Sequence, residues 1–268
     1  MTALDGGTAL VTGAAHGIGR ALVLELARAG YAVVAVDVDR EAAEQVAAEA
    51  GDLGAKALAV RCDVSSREDV AQLGAVARAR FGTVDLLCNN AGVFLPRHAA
   101  TATHDDWRWV LGVNLWGVIH GIEEFLPDML AADRPGHILN TASLNGLVPS
   151  RHSALYSASK YGVLGLSETL RNELADTPVG VTTLCPAAVS THILRSGEVR
   201  PKHLGEDSGR PADAPTSSYA ISEALDPADV ARMALDGVRE DRAWVFTDPA
   251  MREVLEKRHR ELIEAFGT

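Results

Sequence analysis

Between Thr8 and Cys88 the chain alternates short apolar runs with longer stretches of helical spacing, and this alternation limits the possible folds more than any other feature. The runs are Thr8–Val11, Ala32–Val36, Ala57–Val60 and Asp85–Cys88. Between them, Ile18–Ala29, Arg40–Ala50 and Arg67–Phe81 carry apolar residues three or four positions apart, which predicts helices. Strands that are apolar on both faces need cover on both sides, so β and α in alternation imply a parallel sheet between two helical layers. The pattern continues with a helix over Asp105–Ala131, a strand over His137–Thr141, a helix over Ala154–Asp176 and a strand over Gly180–Cys185. With Ala243–Phe246 included, the expectation is an α/β fold: a doubly wound parallel sheet of about seven strands with helices on both faces.

Length and composition fit one globular domain over residues 1–268, since 47% of the chain is hydrophobic and 23% charged. The net charge is -11, and Lys and Arg are scattered, so a nucleic-acid partner is not expected. No apolar run approaches the roughly 20 residues of a membrane span. Met1–Asp5 lacks the layout of a signal peptide, so a cytoplasmic location is expected. Cys62, Cys88 and Cys185 are far apart and odd in number, which fits reduced, buried thiols. The histidines show no metal spacing, and no metal is expected.

Directly after the first strand stands Thr12-Gly13-Ala14-Ala15-His16-Gly17-Ile18-Gly19, followed by a helix. Without Cβ atoms, glycines allow a tight turn, approach of the backbone to a pyrophosphate, and close packing of helix on strand. The helix N-terminus then offers free N–H groups to the anion. Asp37 ends the second strand, where a carboxylate can accept hydrogen bonds from ribose hydroxyls and would repel a 2′-phosphate. NAD is therefore expected over NADP.

The spacing Gly-x-x-x-Gly-x-Gly resembles the Thr-Gly-x-x-x-Gly-Ile-Gly turn of the short-chain dehydrogenase/reductase family in its single-domain, Rossmann-fold form. Further segments match that family. Cys62-Asp63-Val64 follows the third strand, and the resemblance implies that the Asp63 side chain and the Val64 backbone meet the adenine. In Asn89-Asn90-Ala91-Gly92, it implies that Asn90 and Ala91 lie beside the cofactor while Gly92 permits the close turn.

Tyr156 and Lys160 are four residues apart near a helix start, hence on one face, and Ser143 ends the preceding strand. Strand ends and helix starts meet at the carboxyl edge of such a sheet, so Ser143 and Tyr156 can converge on one carbonyl or hydroxyl oxygen. A tyrosine with a pKa near 10 needs roughly 4 kcal/mol of differential stabilisation to act as a base at neutral pH; a neighbouring ammonium and the oxidised nicotinamide's positive charge have the sign to supply it. The resemblance assigns Tyr156 as acid/base, Ser143 as partner of the reacting oxygen, and Lys160 as ribose ligand and depressor of the tyrosine pKa. It assigns Asn114 to hold a water for proton relay to the lysine, and Val189 and Thr191 to contact the nicotinamide carboxamide. One position departs: Pro186-Ala187 stands where the family usually has Pro-Gly.

Between Thr191 and Asp226 the periodicity fails, and residues 192–225 read as a substrate-side loop that decides specificity. Trp107, Trp109, Trp116 and Phe125 read as core and subunit packing rather than an aromatic box, His16 as a turn residue, and His152 as a candidate pocket residue. The expected function is an NAD-dependent oxidoreductase moving hydride between nicotinamide and a small-molecule secondary alcohol or ketone, working as a homo-oligomer (dimer or homotetramer) without a membrane. The alternative is a non-catalytic dinucleotide-sensing protein on the same fold. A sugar-nucleotide epimerase or dehydratase would call for a longer substrate domain than 268 residues leave.

Overall fold

Residues 6–205 and 224–267 are described in a computed structural model of the protein. The strand β1 (Thr8–Thr12) is buried along its length and lies inside the sheet. β2 (Ala32–Asp37) and β3 (Ala57–Arg61) extend the sheet to one side. β4 (Leu86–Asn89), β5 (Gly136–Thr141), β6 (Val179–Cys185) and β7 (Trp244–Phe246) extend it to the other. The order is β3-β2-β1-β4-β5-β6-β7 with all seven strands parallel, as the alternating pattern predicts. Strand order reverses between β1 and β4, so the loops leaving these two strands diverge and open a crevice at the carboxyl edge.

Side-chain alternation splits the core into two layers. Ala9 and Val11 of β1, with Val33 and Ala35 of β2, pack beneath α1 (Gly17–Arg28), α2 (Arg40–Asp52) and α7 (Pro227–Arg239). Leu10, Val34 and Val36 point the other way, toward α3 (Arg67–Phe81), α5 (Gly117–Ala131) and α6 (Ala154–Glu173). Both faces of every central strand are thus covered, which is why the strand sequences are continuous apolar runs.

Three local differences from the sequence reading have identifiable causes. The single helix expected over Asp105–Ala131 is instead α4 (His104–Leu111), a π-helical turn over Gly112–Trp116, and α5. Thr103 and Asp106 form a reciprocal capping box that sets the start of α4, while the wide turn holds Asn114 fully buried. Helix α7 stands where no helix was expected. Its signals are present: Asp226 accepts a hydrogen bond from Ala228 N–H at 2.7 Å, Pro227 opens the helix, and Val230, Ala231, Ala234, Leu235 and Val238 form its buried stripe. The loop after β6 is also partly regular, with 3₁₀ turns at His192–Val199 and Lys202–Leu204; the remainder of the expected loop, 206–223, lies outside the described residues. A final helix, α8 (Met251–Glu264), buries only Met251. Among the described residues no helix is long and apolar enough to cross a membrane.

Candidate active site

The crevice at the carboxyl edge is a cavity of about 800 Å³. Its near wall is the turn between β1 and α1. Gly13 and Gly17 have φ of +66° and +53°, in the left-handed region where a side chain is strained, and a Cβ at Gly13 would come within 2.8 Å of the Ala91 Cα. A Cβ at Gly19 would fall onto the Gly13 carbonyl, so the helix can approach the strand only as glycine. Ile18 packs against the core behind the turn. The result is a backbone cradle with a helix N-terminus at its floor, and it suits the pyrophosphate of a dinucleotide.

The loop after β4 is pinned to this turn. Thr12 Oγ1 accepts the Asn90 and Ala91 N–H groups at 3.0 and 3.1 Å, and Asn90 Nδ2 donates to the Thr12 carbonyl at 3.0 Å. At the end of β2, Asp37 accepts the Ala15 N–H on one oxygen at 2.9 Å and the Asp39 N–H on the other at 3.1 Å. These bonds hold its carboxylate at the cavity wall. Asp63 is oriented by the N–H and hydroxyl of Ser65, at 2.9 and 2.7 Å. Val64 is buried, its carbonyl paired with the His120 ring at 2.9 Å.

Further along the sheet edge, Ser143 follows β5, Tyr156 and Lys160 share one face of α6, and all three line the same cavity. Burial pushes the Tyr156 phenol up to about 12, and a hydrogen bond with Ser143 acts in the opposite direction. In the chain alone burial therefore outweighs the lowering that the sequence leads one to expect. Lys160 is pushed down to about 8 by burial, partly opposed by Cys185. Its Nζ donates to the Thr141 carbonyl at 2.8 Å and lies 5.6 Å from the centroid of the Tyr156 ring.

Asn114 accepts the Val93 N–H at 2.8 Å and donates to the Val93 carbonyl at 2.9 Å and to Ser159 Oγ at 3.0 Å. Both ends of its carboxamide are therefore engaged within the protein. A Cβ at Gly92 would stand 3.6 Å from both Asn114 Oδ1 and Lys160 Nζ, so both groups border this glycine. Val189 and Thr191 line the opposite wall, where Thr191 packs against Gly17. Ala187 takes the place of the glycine without a positive φ, and its N–H donates to Thr247 Oγ1 at 3.1 Å.

The sixteen residues that the sequence reading assigns to catalysis or cofactor binding lie in or against this one cavity, with Gly19 and Asn114 just behind its wall. His152 does not line it; it is buried beside His98, with the ring centroids 4.2 Å apart. Residues the sequence reading missed include Phe94, whose ring meets Tyr156 edge-on at 5.1 Å, and His192, whose ring lies 4.7 Å from that of His16. Trp109 belongs both to a buried cluster and to the cavity wall. Among the described residues no cluster of His, Cys, Asp or Glu could hold a metal ion.

The profile of the family described as short chain dehydrogenase matches residues 7–200. The chain is 34% identical to the C alpha-dehydrogenase of Sphingobium sp. (strain NBRC 103272 / SYK-6), over 96% of its own length and 85% of the relative's. It superposes with a TM-score of 0.90 and 36% identity on a short chain dehydrogenase/reductase from Burkholderia phymatum in complex with NAD, covering 98% of this chain and 96% of that one. A metagenomic short-chain oxidoreductase in complex with NADP is similar at a TM-score of 0.73 and 30% identity, over 91% and 97% of the two chains.

Proposed function

Because the chain belongs to the short-chain dehydrogenase/reductase family and is an oxidoreductase acting on CH–OH groups, we propose that it is NAD-dependent, with Tyr156 as the acid/base at a secondary alcohol or ketone. The observation that carries this reading is the convergence of Ser143, Tyr156 and Lys160 in one cavity with the glycine cradle. When bound, the nicotinamide supplies or accepts the hydride. Gly13, Gly17, Ile18 and Gly19 would hold its pyrophosphate, Asp37 its adenosine ribose, Asp63 and Val64 the adenine. Asn90, Ala91 and Gly92 would flank it, and Val189 and Thr191 would face the carboxamide.

The remaining chemistry is the handling of one proton. With its pKa held up at about 12 by burial, Tyr156 is protonated at neutral pH and placed to donate to the oxygen of a carbonyl under reduction. Ser143 shares a hydrogen bond with that hydroxyl, so both groups can meet the same substrate oxygen. In the opposite direction Tyr156 must release its proton first, and any cation brought beside it favours the phenolate. Lys160 is the chain's own candidate. Its pKa of about 8 leaves it mostly ammonium at neutral pH, and its bond to the Thr141 carbonyl fixes its position.

The reading is tested with the Tyr156→Phe variant and an absorbance assay for the reduced cofactor. Turnover is expected to fall by about a thousandfold or more, while affinity for NAD stays within about threefold. A variant as active as the wild type removes Tyr156 from the mechanism. Purified protein that binds the cofactor but gives no substrate-dependent signal with any alcohol would instead support the sensor alternative.

A further inference from the structure

The part of the cavity beyond Tyr156 differs in chemistry from the part near Asp37. Val93 and Leu95 pack in a buried cluster with Trp109 and Leu155, while Phe94 between them lines the cavity. Its backbone N–H donates to Ser196 Oγ at 3.0 Å, and that hydroxyl in turn donates to the Ile193 carbonyl at 2.6 Å, inside the first 3₁₀ turn after β6. The Phe94 ring is half-buried and stands at 88° to the ring of Tyr156. It therefore presents an aromatic surface beside the hydroxyl that handles the proton. The same cavity is lined also by the apolar side chains of Trp109, Val113, Leu194 and Val199.

Of the two lysine or arginine side chains on the described wall, Arg195 is neutralised by an ion pair and Lys160 is held by a backbone carbonyl. Arg195 makes two bonds to Glu198, at 2.8 and 3.0 Å, and Lys160 is held by the Thr141 carbonyl. The other acidic residues of the described wall, Asp37, Asp39 and Asp63, lie at or just after the ends of β2 and β3. β2 lies three strand positions from β5, or about 14 Å at ordinary strand spacing. Apart from Lys160, already bound to the Thr141 carbonyl beside Tyr156, no lysine or arginine among the described residues of the wall is left to face an anionic substrate. We propose that Phe94, held by Ser196, is a specificity-determining residue that selects a ring-bearing, uncharged secondary alcohol or ketone. A substrate ring attached to the carbinol carbon would lie against the Phe94 ring while its oxygen reaches Ser143 and Tyr156.

This inference rests on the dehydrogenase reading, and the experiment separates the two. The purified protein is assayed with 1-phenylethanol, 1-cyclohexylethanol, 2-butanol and mandelate, the last carrying both a ring and a carboxylate. The two uncharged ring alcohols should exceed both 2-butanol and mandelate in kcat/KM by about 10-fold to 100-fold, the range expected from burying a ring. In Phe94→Ala the advantage of the ring alcohols over 2-butanol should shrink by about tenfold, mainly through KM, and Phe94→Leu should retain part of it. Thermal unfolding and NADH fluorescence titration of both variants establish that fold and cofactor affinity survive. A wild-type panel led by 2-butanol or mandelate, a panel in which neither ring alcohol reacts, or a ring preference intact in both variants overturns the role of Phe94. Failure of the wild type to bind NADH, or full activity of Tyr156→Phe, strikes instead at the dehydrogenase reading.

Discussion

Both ends of the Asn114 carboxamide are taken up by the Val93 backbone and Ser159, and this makes the residue a clamp between the π turn, the loop after β4 and α6. Asn114→Ala would leave a buried N–H and carbonyl without partners, at about 2–4 kcal/mol. The expected lowering of Tm is about 4–12 °C for a chain of this size, read by calorimetry. Asp37 governs a different quantity. Asp37→Asn keeps an acceptor for the Ala15 N–H but removes the negative charge, so the preference for NAD over NADP, measured as a ratio of kcat/KM values, should drop by about tenfold or more. An unaltered ratio would mean that another group sets cofactor choice. The residues legible in the sequence were those whose roles follow from local spacing: the glycines of one turn, and Tyr156 with Lys160 on one helical face. Phe94 was not legible, because its orientation depends on a hydroxyl 102 positions away in the chain.

At the scale of elements, strands could be read from the sequence to within a residue or two, since each is an apolar run bounded by turn residues. The π turn could not, because Asp105–Ala131 carries helical periodicity throughout and nothing local marks an extra residue in one turn. Helix α7, by contrast, carries only local signals: its cap, its proline and its apolar stripe all stand in the sequence. The contact of α5 with β4 offers a direct test of packing between elements. A Cβ at Gly121 would collide with Asn89 Oδ1, an atom buried without a hydrogen-bond partner, so α5 can sit this close to β4 only with glycine there. Gly121→Ala should cost about 1–3 kcal/mol in urea unfolding, more than the small gain in helix propensity returns. An alanine variant as stable as the wild type would show that α5 can move away from the sheet freely.

For the molecule as a whole, His137 on β5 links stability to pH above the range in which carboxylates titrate. It is fully buried, its Nε2 paired with Thr182 Oγ1 at 2.8 Å. Because that hydroxyl donates to the Arg242 carbonyl at 2.7 Å, the histidine must be the donor, leaving Nδ1 as a buried acceptor without a partner. Burial lowers its pKa from 6.5 to about 4, with Asp241 opposing and Arg171 assisting. A histidine lowered in the folded state binds its proton more readily when unfolded. Its contribution is therefore complete above pH 6.5 and is lost as the pH falls toward 4, at about 3 kcal/mol over the whole window. His137→Gln should flatten the decline of urea stability between pH 7.5 and 4.5, and a decline as steep as the wild type's would place the acid sensitivity elsewhere.

The pairing of Val189 with Leu225 joins the two ends of the segment after β6: Ser190 N–H donates to the Leu225 carbonyl at 2.9 Å, and Leu225 N–H to that of Ala188 at 3.0 Å. A segment fastened at its own neck is modular. Its ends are joined by two backbone bonds outside the seven-stranded sheet, while Ser196 and Arg200 tie its first part to Phe94 and Asp106, and doubling the length of chain between the ends would cost only about 0.6 kcal/mol in closure entropy. Beyond Thr191 and Ser196, that insert can therefore lengthen or shorten, and with it the range of substrates, while the cradle, the tyrosine and the sheet remain as they are.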